Sequence, residues 1–170
     1  MTPPATAVRE YQVRASSAPT FGRVLCSARN HHFVVDGPIQ NGCPGEAPSP
    51  AEIFLSAVAA CGVELMHVIS RDEQIPLERV EATIQGVIDR SCQPRDDVTL
   101  FTRVRLHLVL SGVDPAQAAV LVSGFQRRCP LYGTVAAATA DLAVEYQVET
   151  AGASGAVTGA PCRPPWSRRS

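Results

Sequence analysis

Apolar and polar residues alternate most clearly over residues 98–110, in the second half of the chain. One side of this segment is apolar and the other is basic, which is the period-two pattern of a strand with one buried face. The apolar positions are Leu100, Val104, Leu106, Leu108 and Leu110, and the basic positions are Arg103, Arg105 and His107. We therefore predict a long strand here, joined by a turn at residues 91–97 to another long strand at residues 80–89.

A different pattern, apolar on almost every side, runs from residue 50 to about residue 70. It begins with Ser49, Pro50 and Glu52, which combine a helix N-cap, a proline at the first helical position and the glutamate of a capping box. A helix without a polar face is typical of a buried position. We predict that sheets wrap this central helix, and that a second copy of the chain supplies the cover that so few strands cannot give.

Shorter patterns predict the other elements. A capping residue and a proline start two more helices, at Asp114-Pro115 and at Cys129-Pro130. The remaining strands are predicted at residues 11–15, 21–28, 32–36 and 142–148, and the two helices are predicted to end near Phe125 and Ala140. Three strands, one helix, two strands, two helices and one strand, in this order, predict an α+β fold with antiparallel sheets.

A single domain over residues 10–149 contains all of these elements, and its length suits one hydrophobic core. We predict that residues 1–9 form a loose N-terminal segment. Residues 150–170 consist mainly of Gly, Ala, Ser, Pro and Arg, a composition that predicts a disordered tail.

Composition excludes several functions. The 170 residues carry a net charge of −1 and no lysine. Without a basic stripe we expect no nucleic-acid partner, and without lysine there is neither a Walker-type phosphate loop nor a Schiff-base nucleophile. The apolar stretch 53–69 is interrupted by Ser56, Glu64 and His67, so we expect no membrane partner. The N-terminus lacks the pattern of a secretory signal, which favours a cytoplasmic location.

Six cysteines are the most informative residues for chemistry. They are Cys26, Cys43, Cys61, Cys92, Cys129 and Cys162. Disulfides in the cytoplasm are usually transient or catalytic, so these thiols indicate either chemistry or core packing. Structural zinc sites prefer closely spaced cysteine pairs, which this sequence lacks, and we therefore expect no metal and no cofactor, even where His31 and His32 stand near Cys26 and Cys43 in the sequence.

Two of these cysteines lie in predicted helices. Cys61 is inside the apolar helix, where a thiol is usually inert with a raised pKa and acts as a small hydrophobic residue. Cys129 is at a helix start, where free backbone N–H groups favour a thiolate, although a buried cap residue is an equal alternative. Glu64, one turn after Cys61, would raise the pKa of that thiol unless an arginine neutralised it. Activation of Cys61 therefore requires an arginine from elsewhere.

Three segments together carry a family pattern. Residues 49–61 combine a proline start, an acidic residue, small apolar residues and then a cysteine. Residues 126–131 contain Cys-Pro-aliphatic, and residues 29–38 form a strand and turn ahead of the helix. Over about residues 10–148 the chain resembles the family of osmotically induced protein C and organic hydroperoxide resistance proteins (OsmC/Ohr).

The resemblance implies an OsmC-like fold and a reaction. The fold is an intertwined homodimer in which antiparallel sheets enclose the long helix, with active sites at the dimer interface. The reaction is that of a thiol peroxidase: Cys61 attacks an organic hydroperoxide and becomes a sulfenic acid, and Cys129 condenses with it to a disulfide. A dithiol reductant then restores both thiols.

The family's peroxidases also use an arginine and a glutamate, and here the sequence departs from the pattern. The arginine falls on Arg23 or Arg29, of which Arg23 is nearer the expected place. The glutamate position falls on Ala51, and Glu52 already has a sufficient role in the capping box.

Two other functions therefore stay open. The absent glutamate favours an OsmC-fold stress protein that binds small molecules without peroxidase turnover. Acyl transfer would require a histidine beside Cys61, such as His31 or His32 supplied by a partner chain.

Overall fold

The structure of the protein is a computed structural model that describes residues 8–149. The predicted tail at residues 150–170, Cys162 within it and most of the predicted loose start lie outside the described residues. All nine predicted helices and strands are present in the described part, in the predicted order. The strands are β1 (Arg14–Ser17), β2 (Arg23–Ala28), β3 (His31–Asp36), β4 (Arg79–Val87), β5 (Arg103–Ser111) and β6 (Asp141–Glu149). The helices are α1 (Pro50–Glu73), α2 (Pro115–Arg128) and α3 (Pro130–Ala138), and a short 3-10 turn covers Ile39–Asn41.

The predicted helix starts are confirmed by their hydrogen bonds. The Ser49 side chain accepts the Glu52 N–H, and the Glu52 carboxylate accepts the Ser49 N–H. Asp114 and Gln117 form the same reciprocal pair at the start of α2. These caps fix where α1 and α2 begin, and therefore which of their residues face each other.

The predicted strand at residues 98–110 begins later than expected, at Arg103. The Leu100 N–H donates to Gln93 Oε1 at 2.7 Å, and Gln93 Nε2 donates to the Leu100 carbonyl oxygen at 3.2 Å. This side-chain amide occupies both backbone groups that a neighbouring strand would otherwise bond. The alternating pattern therefore starts at residue 98, before strand pairing starts at Arg103.

The strands form two separate three-stranded sheets. The first has the order β1-β2-β3 and is antiparallel throughout. In the second, β4 pairs antiparallel with β5, whereas β6 pairs parallel with β5. The prediction of antiparallel pairing is therefore wrong for β6, because α2 and α3 carry the chain back to the end where β5 began, and such a crossover produces a parallel pair.

The main core lies between the second sheet, α1 and α2. Leu106, Leu108 and Leu110, from the predicted apolar face of β5, are almost fully buried and pack with Met66 and Phe125. A Cβ atom at Gly62 would lie 3.2 Å from the Phe125 ring, so this glycine permits a close approach of α2 to α1. The approach occurs directly beside Cys61.

Within one chain, α1 is buried along one side only. Its buried residues are Val58, Gly62, Met66, Ile69 and Ser70. Among the described residues, α1 is the one helix long and apolar enough to cross a membrane, with a mean hydropathy of 1.8 over a stretch that is 28% buried. A core helix whose second side is covered by another chain has the same length and composition, and the exposed side of α1 carries Glu64 and His67. Cover by a second copy of the chain stays a prediction.

Candidate functional site

The two helical cysteines meet at one point of the structure. Cys61 lies in the middle of α1, Cys129 lies between α2 and α3, and the Cys129 thiol donates to Cys61 Sγ at 2.9 Å. Both are free thiols. A disulfide has about 2.05 Å between its sulphur atoms, so oxidation of the pair requires a movement of less than about 1 Å.

Cys129 forms the corner between two helices. Its N–H donates to the Phe125 carbonyl oxygen at 2.9 Å and closes α2, while its Sγ accepts the Tyr132 N–H at 3.3 Å and caps α3. Pro130 has no N–H, so the first free amides of α3 belong to Leu131 and Tyr132. The predicted cap role of Cys129 is confirmed, and its sulphur is held where a helix start favours negative charge.

Cys61 is half-buried, and its surroundings favour the neutral thiol. Burial raises the pKa of Cys61 most, and the hydrogen bond and charge shared with Cys129 raise it further. Glu64 adds to the increase and the Leu131 N–H opposes it, with a resulting pKa of about 12. A negative charge on the Cys129 sulphur would oppose ionisation of Cys61. In a single chain Cys61 therefore needs a neighbouring cation to react as a thiolate.

The predicted arginine, Arg23, is bound to carboxylates within its own chain. Its Nε and Nη2 donate to the two carboxylate oxygens of Asp36, both at 2.9 Å, and Nη2 also donates to Glu46 Oε2 at 2.7 Å. Asp36 is fully buried and accepts two further hydrogen bonds, from the backbone N–H groups of Glu46 and Ala47. The bonds from Arg23 lower the pKa of Asp36 to about 2 despite its burial.

This charge cluster, which consists of Arg23, Asp36 and Glu46, fastens the loop that leads into α1. The two carboxylates raise the pKa of Arg23 above its already high ordinary value. Within residues 8–149, Arg23 donates no hydrogen bond to Cys61. A role for Arg23 at the thiol thus requires a second chain, and it stays a prediction.

The alternative arginine and the two glutamate positions are also accounted for. Arg29 is exposed at the turn between β2 and β3, with a φ of 56° in the left-handed region. Glu52 Oε2 accepts hydrogen bonds from the N–H and the hydroxyl of Ser49, each at 2.7 Å, which lower the pKa of Glu52. The capping role of Glu52 is confirmed, and Ala51 provides no carboxylate.

The residues considered for other chemistry lie apart from the sulphur pair. His32 Nδ1 is 3.1 Å from Ser27 Oγ, and no histidine in the described range is hydrogen-bonded to Cys61. The Cys43 side chain packs against Gly22 and Gly37. A Cβ atom added at these glycines would lie 2.3 and 2.4 Å from Cys43 Sγ. Across residues 8–149, no three His, Cys, Asp or Glu side chains are grouped as a metal site would require.

Roles for Asp36, Glu46 and Gly62 at the site were not predicted from the sequence. Asp36 has a recognisable signal, because it ends the apolar strand segment HFVVD and a buried carboxylate needs a partner. Glu46 lies in a loop rich in Gly and Pro and carries no such signal. Gly62 follows Cys61 inside a helix, where a glycine is unfavourable without a packing reason.

A small apolar cavity lies in the groove between α1 and α3, next to the stacked rings of Phe54 and Phe101. Its volume is about 220 Å³, and its other lining residues are Thr99, Leu100, Thr134, Val135, Ala138 and Thr139. Phe54 is seven residues before Cys61, which places it on the same side of α1 at about 10 Å along the helix axis. The cavity therefore borders the side of α1 on which Cys61 lies.

The family model described as "OsmC-like protein" matches residues 43–145, more than half of the chain, and this range includes both Cys61 and Cys129. No curated protein matches the sequence.

Solved structures with the same fold include three organic hydroperoxide resistance proteins. The Elizabethkingia anophelis protein is 16% identical with a TM-score of 0.70, covering 85% of this chain and 99% of its own. The Legionella pneumophila protein is 19% identical with a TM-score of 0.67, covering 84% of this chain and 99% of its own. The Bacillus subtilis protein is 18% identical with a TM-score of 0.60, covering 83% of this chain and all of its own. At these identities the likeness establishes the fold.

Proposed function

This chain belongs to the OsmC-like protein family, and on that basis we propose that it is a cysteine-dependent peroxidase that reduces organic hydroperoxides. The observation that carries the proposal is the 2.9 Å separation of Cys61 Sγ and Cys129 Sγ. A reactive thiol in contact with a second thiol is the arrangement that a two-cysteine peroxidase requires. The names of the three structural relatives support this class of substrate.

In the proposed reaction, the Cys61 thiolate attacks the outer oxygen of a hydroperoxide, ROOH. An S–O bond forms while the O–O bond breaks, and the leaving alkoxide takes up a proton to become the alcohol ROH. Cys129 then attacks the Cys61 sulfenic acid, so that a disulfide forms and water is released. A dithiol reductant reduces this disulfide by exchange and is itself oxidised to a disulfide.

The thiolate needs a cation, and a homodimer supplies it in this proposal. Arg23 or Arg29 of one subunit faces Cys61 of the other at their interface. The exposed side of α1 supports this arrangement, as do Leu25, Phe33 and Val34, three apolar residues that the first sheet leaves exposed. Apolar surface of this kind is typical of an interface with another protein.

The cavity beside Phe54 and Phe101 supports an organic substrate over hydrogen peroxide. An apolar group of the hydroperoxide buries its surface there while the O–O bond lies at Cys61. We place the reaction in the cytoplasm, where dithiol systems keep such cysteines reduced.

The test is a titration of free thiols before and after one equivalent of an organic hydroperoxide. Wild type should lose two thiols rapidly, because the sulfenic acid at Cys61 condenses with Cys129. Cys129→Ser should lose one, and Cys61→Ser should lose none beyond the background of the other cysteines. Equal and slow loss in all three proteins would show that the fold is kept without this chemistry.

A second candidate, an OsmC-fold protein that binds small molecules without turnover, is favoured by one observation. The pKa of Cys61 is raised, first by burial, and position 51 holds an alanine where the family's peroxidases hold a glutamate. Under this function the apolar cavity binds a ligand and peroxide does not consume thiols. Calorimetric titration with small apolar compounds, beside the thiol assay, separates the two candidates.

A further inference from the structure

The approach to Cys61 from solvent is bordered by few residues. Of the four positions one helical turn away, Val58 is buried and Leu65 is half-buried, whereas Ala57 and Glu64 are exposed. On the α3 side, Leu131 is exposed and its backbone N–H faces the Cys61 sulphur. Within a single chain the entrance to the thiol is thus apolar and open, with one carboxylate beside it.

That carboxylate is not neutralised within the described chain. Among residues 8–149, Glu64 takes part in no salt bridge, whereas Asp36, Asp72, Asp97 and Asp141 each pair with an arginine. On a helix, side chains three positions apart have Cβ atoms about 5–6 Å from each other. The negative charge of Glu64 therefore acts on Cys61 and on any molecule that reaches it.

We propose that Glu64 is a specificity-determining residue, which admits neutral hydroperoxides to Cys61 and repels those that carry a negative charge close to the O–O bond. For hydroperoxides the inference rests on the proposed function. For other thiol reagents it rests on the placement of Glu64 alone. Discrimination arises because a like charge disfavours the wrong partner more than it changes the reaction of the right one.

The expected size follows from the distance. Two charges about 6 Å apart near a protein surface interact strongly enough to change a rate by roughly three- to tenfold, and added salt reduces this effect. The effect on an incoming anion is separable from the effect on the thiol itself. Any change in the thiolate fraction alters the reaction with neutral and anionic reagents by the same factor, so it cancels in the ratio of the two rates.

The experiment compares alkylation of Cys61 by iodoacetate, an anion, and by iodoacetamide, its neutral analogue. Both rates are measured on the Cys129→Ser protein by mass spectrometry of the Cys61 peptide, so that disulfide formation does not interfere. Glu64→Gln should raise the iodoacetate-to-iodoacetamide ratio roughly three- to tenfold at low salt, and much less at high salt. Glu64→Asp, which keeps the charge, should hold the ratio near that of the parent protein.

The matched control is Glu73→Gln, which removes the same charge from an exposed position on the same helix. It lies twelve residues from Cys61, about 18 Å along α1, and should leave the ratio unchanged. An unchanged ratio in Glu64→Gln would overturn the proposal, and so would an equal increase in Glu73→Gln. Either result would mean that other charges, such as those of a partner chain, determine the electric field at the thiol.

The peroxide assay is then run on the Glu64→Gln and Glu73→Gln variants with Cys129 intact. The Glu64→Gln variant should gain more activity toward a hydroperoxide that bears a carboxylate near its O–O bond than toward tert-butyl hydroperoxide. If no variant reduces either peroxide while the alkylation ratio responds as expected, the peroxidase proposal fails and the role of Glu64 stands. If both peroxides are reduced and neither ratio responds to Glu64, the role of Glu64 fails alone.

Discussion

Asp36 and Cys61 are both acids held away from bulk water, yet their pKa values move in opposite directions. Asp36 is the more deeply buried, and its pKa falls from 3.8 to about 2. Cys61 is only half-buried, and its pKa rises from 9.0 to about 12. The difference lies in their partners. A guanidinium and two backbone N–H groups donate to Asp36, whereas Cys61 has a second thiol and a carboxylate beside it.

Asp36 lies in a region whose charges are balanced by residues of the same chain, whereas the charge of a Cys61 thiolate is not balanced by the described residues. The charge cluster of Arg23, Asp36 and Glu46 satisfies its own charges and holds the loop before α1. The two sulphurs are in contact, but among residues 8–149 no cation contributes to the pKa of Cys61. Desolvation is offset only where opposite charge or hydrogen-bond donors are in place. Substitutions on either side of this difference should therefore have effects of different size.

The largest effect concerns the pH at which Cys61 becomes reactive. In the Cys129→Ser protein, alkylation of Cys61 should reach half of its maximal rate far below pH 12. The neutral serine removes the charge of Cys129, and an arginine of the partner subunit stabilises the thiolate. A pH series of iodoacetamide rates measures the midpoint. A rate that still rises steeply above pH 10 would contradict the partner arginine and favour the function without turnover.

The next effect is on the charge cluster. Asp36→Asn should lower the melting temperature by on the order of 10 °C, because Arg23 loses a buried partner and two loop amides lose their charged acceptor. Thermal unfolding followed by circular dichroism at neutral pH measures the change. Glu46→Gln is the matched control: this side chain is 74% exposed, and its loss should cost a few degrees at most. Equal losses of melting temperature in the two variants would contradict the larger contribution expected from Asp36.

The charge cluster also sets an acid limit of stability. The folded-state pKa of Asp36 lies below its ordinary value, so its contribution is fully present above pH 4 and is lost as the pH falls from about 4 to about 2. Urea unfolding at several pH values should show this decline in the wild type. In Asp36→Asn the decline over the same range should be much smaller. A decline of unchanged size would assign the acid limit to other carboxylates.

The smallest effect concerns the closeness of the two sulphurs. In Gly62→Ala the new methyl group presses on Phe125, which costs about 1–3 kcal/mol and is partly offset by about 1 kcal/mol of helix propensity. Because Cys129 directly follows α2 as its C-cap, disulfide formation after peroxide treatment should slow several-fold.

Gly133→Ala on α3 is the matched control for this prediction. A Cβ there meets nothing within 4 Å, so stability should rise by up to about 1 kcal/mol with disulfide formation unchanged. Stopped-flow thiol loss and urea unfolding of both variants provide the measurement. Equal slowing in the two variants would mean that the sulphur distance does not depend on the Gly62 contact.

How far sequence predicts this molecule depends on whether a feature is local. The capping boxes of Ser49 and Asp114 involve residues three positions apart, and both were predictable from their spacing. The parallel direction of β6 is set by a crossover through two helices, which no short pattern encodes. The period of the apolar residues predicts where a strand is, but it does not predict the direction of its neighbour.

The site shows the same division. The meeting of Cys61 and Cys129 was predicted from a family resemblance and not from local chemistry, since 68 positions separate them in the chain. The pairing of Arg23 with Asp36 joins facing positions on β2 and β3, and it becomes visible only once the strand register is known. Incomplete cover of α1 within one chain was predicted from a helix that is apolar all round, but its composition does not show which residues lie on the uncovered side.

The corner at Cys129 has a consequence for how such a protein can change over evolutionary time. The sulphur there caps α3 through the Tyr132 N–H, a task that oxygen atoms of Ser, Asp or Asn perform at least as well. A lineage that abandons thiol chemistry can therefore replace this cysteine in one step and keep the joint between its helices. Cys61 lies inside a helix and packs against the Cys129 sulphur, so its replacement by a carboxylate would not be neutral. In a lineage that loses catalysis, Cys129 should thus be replaced first and Cys61 later.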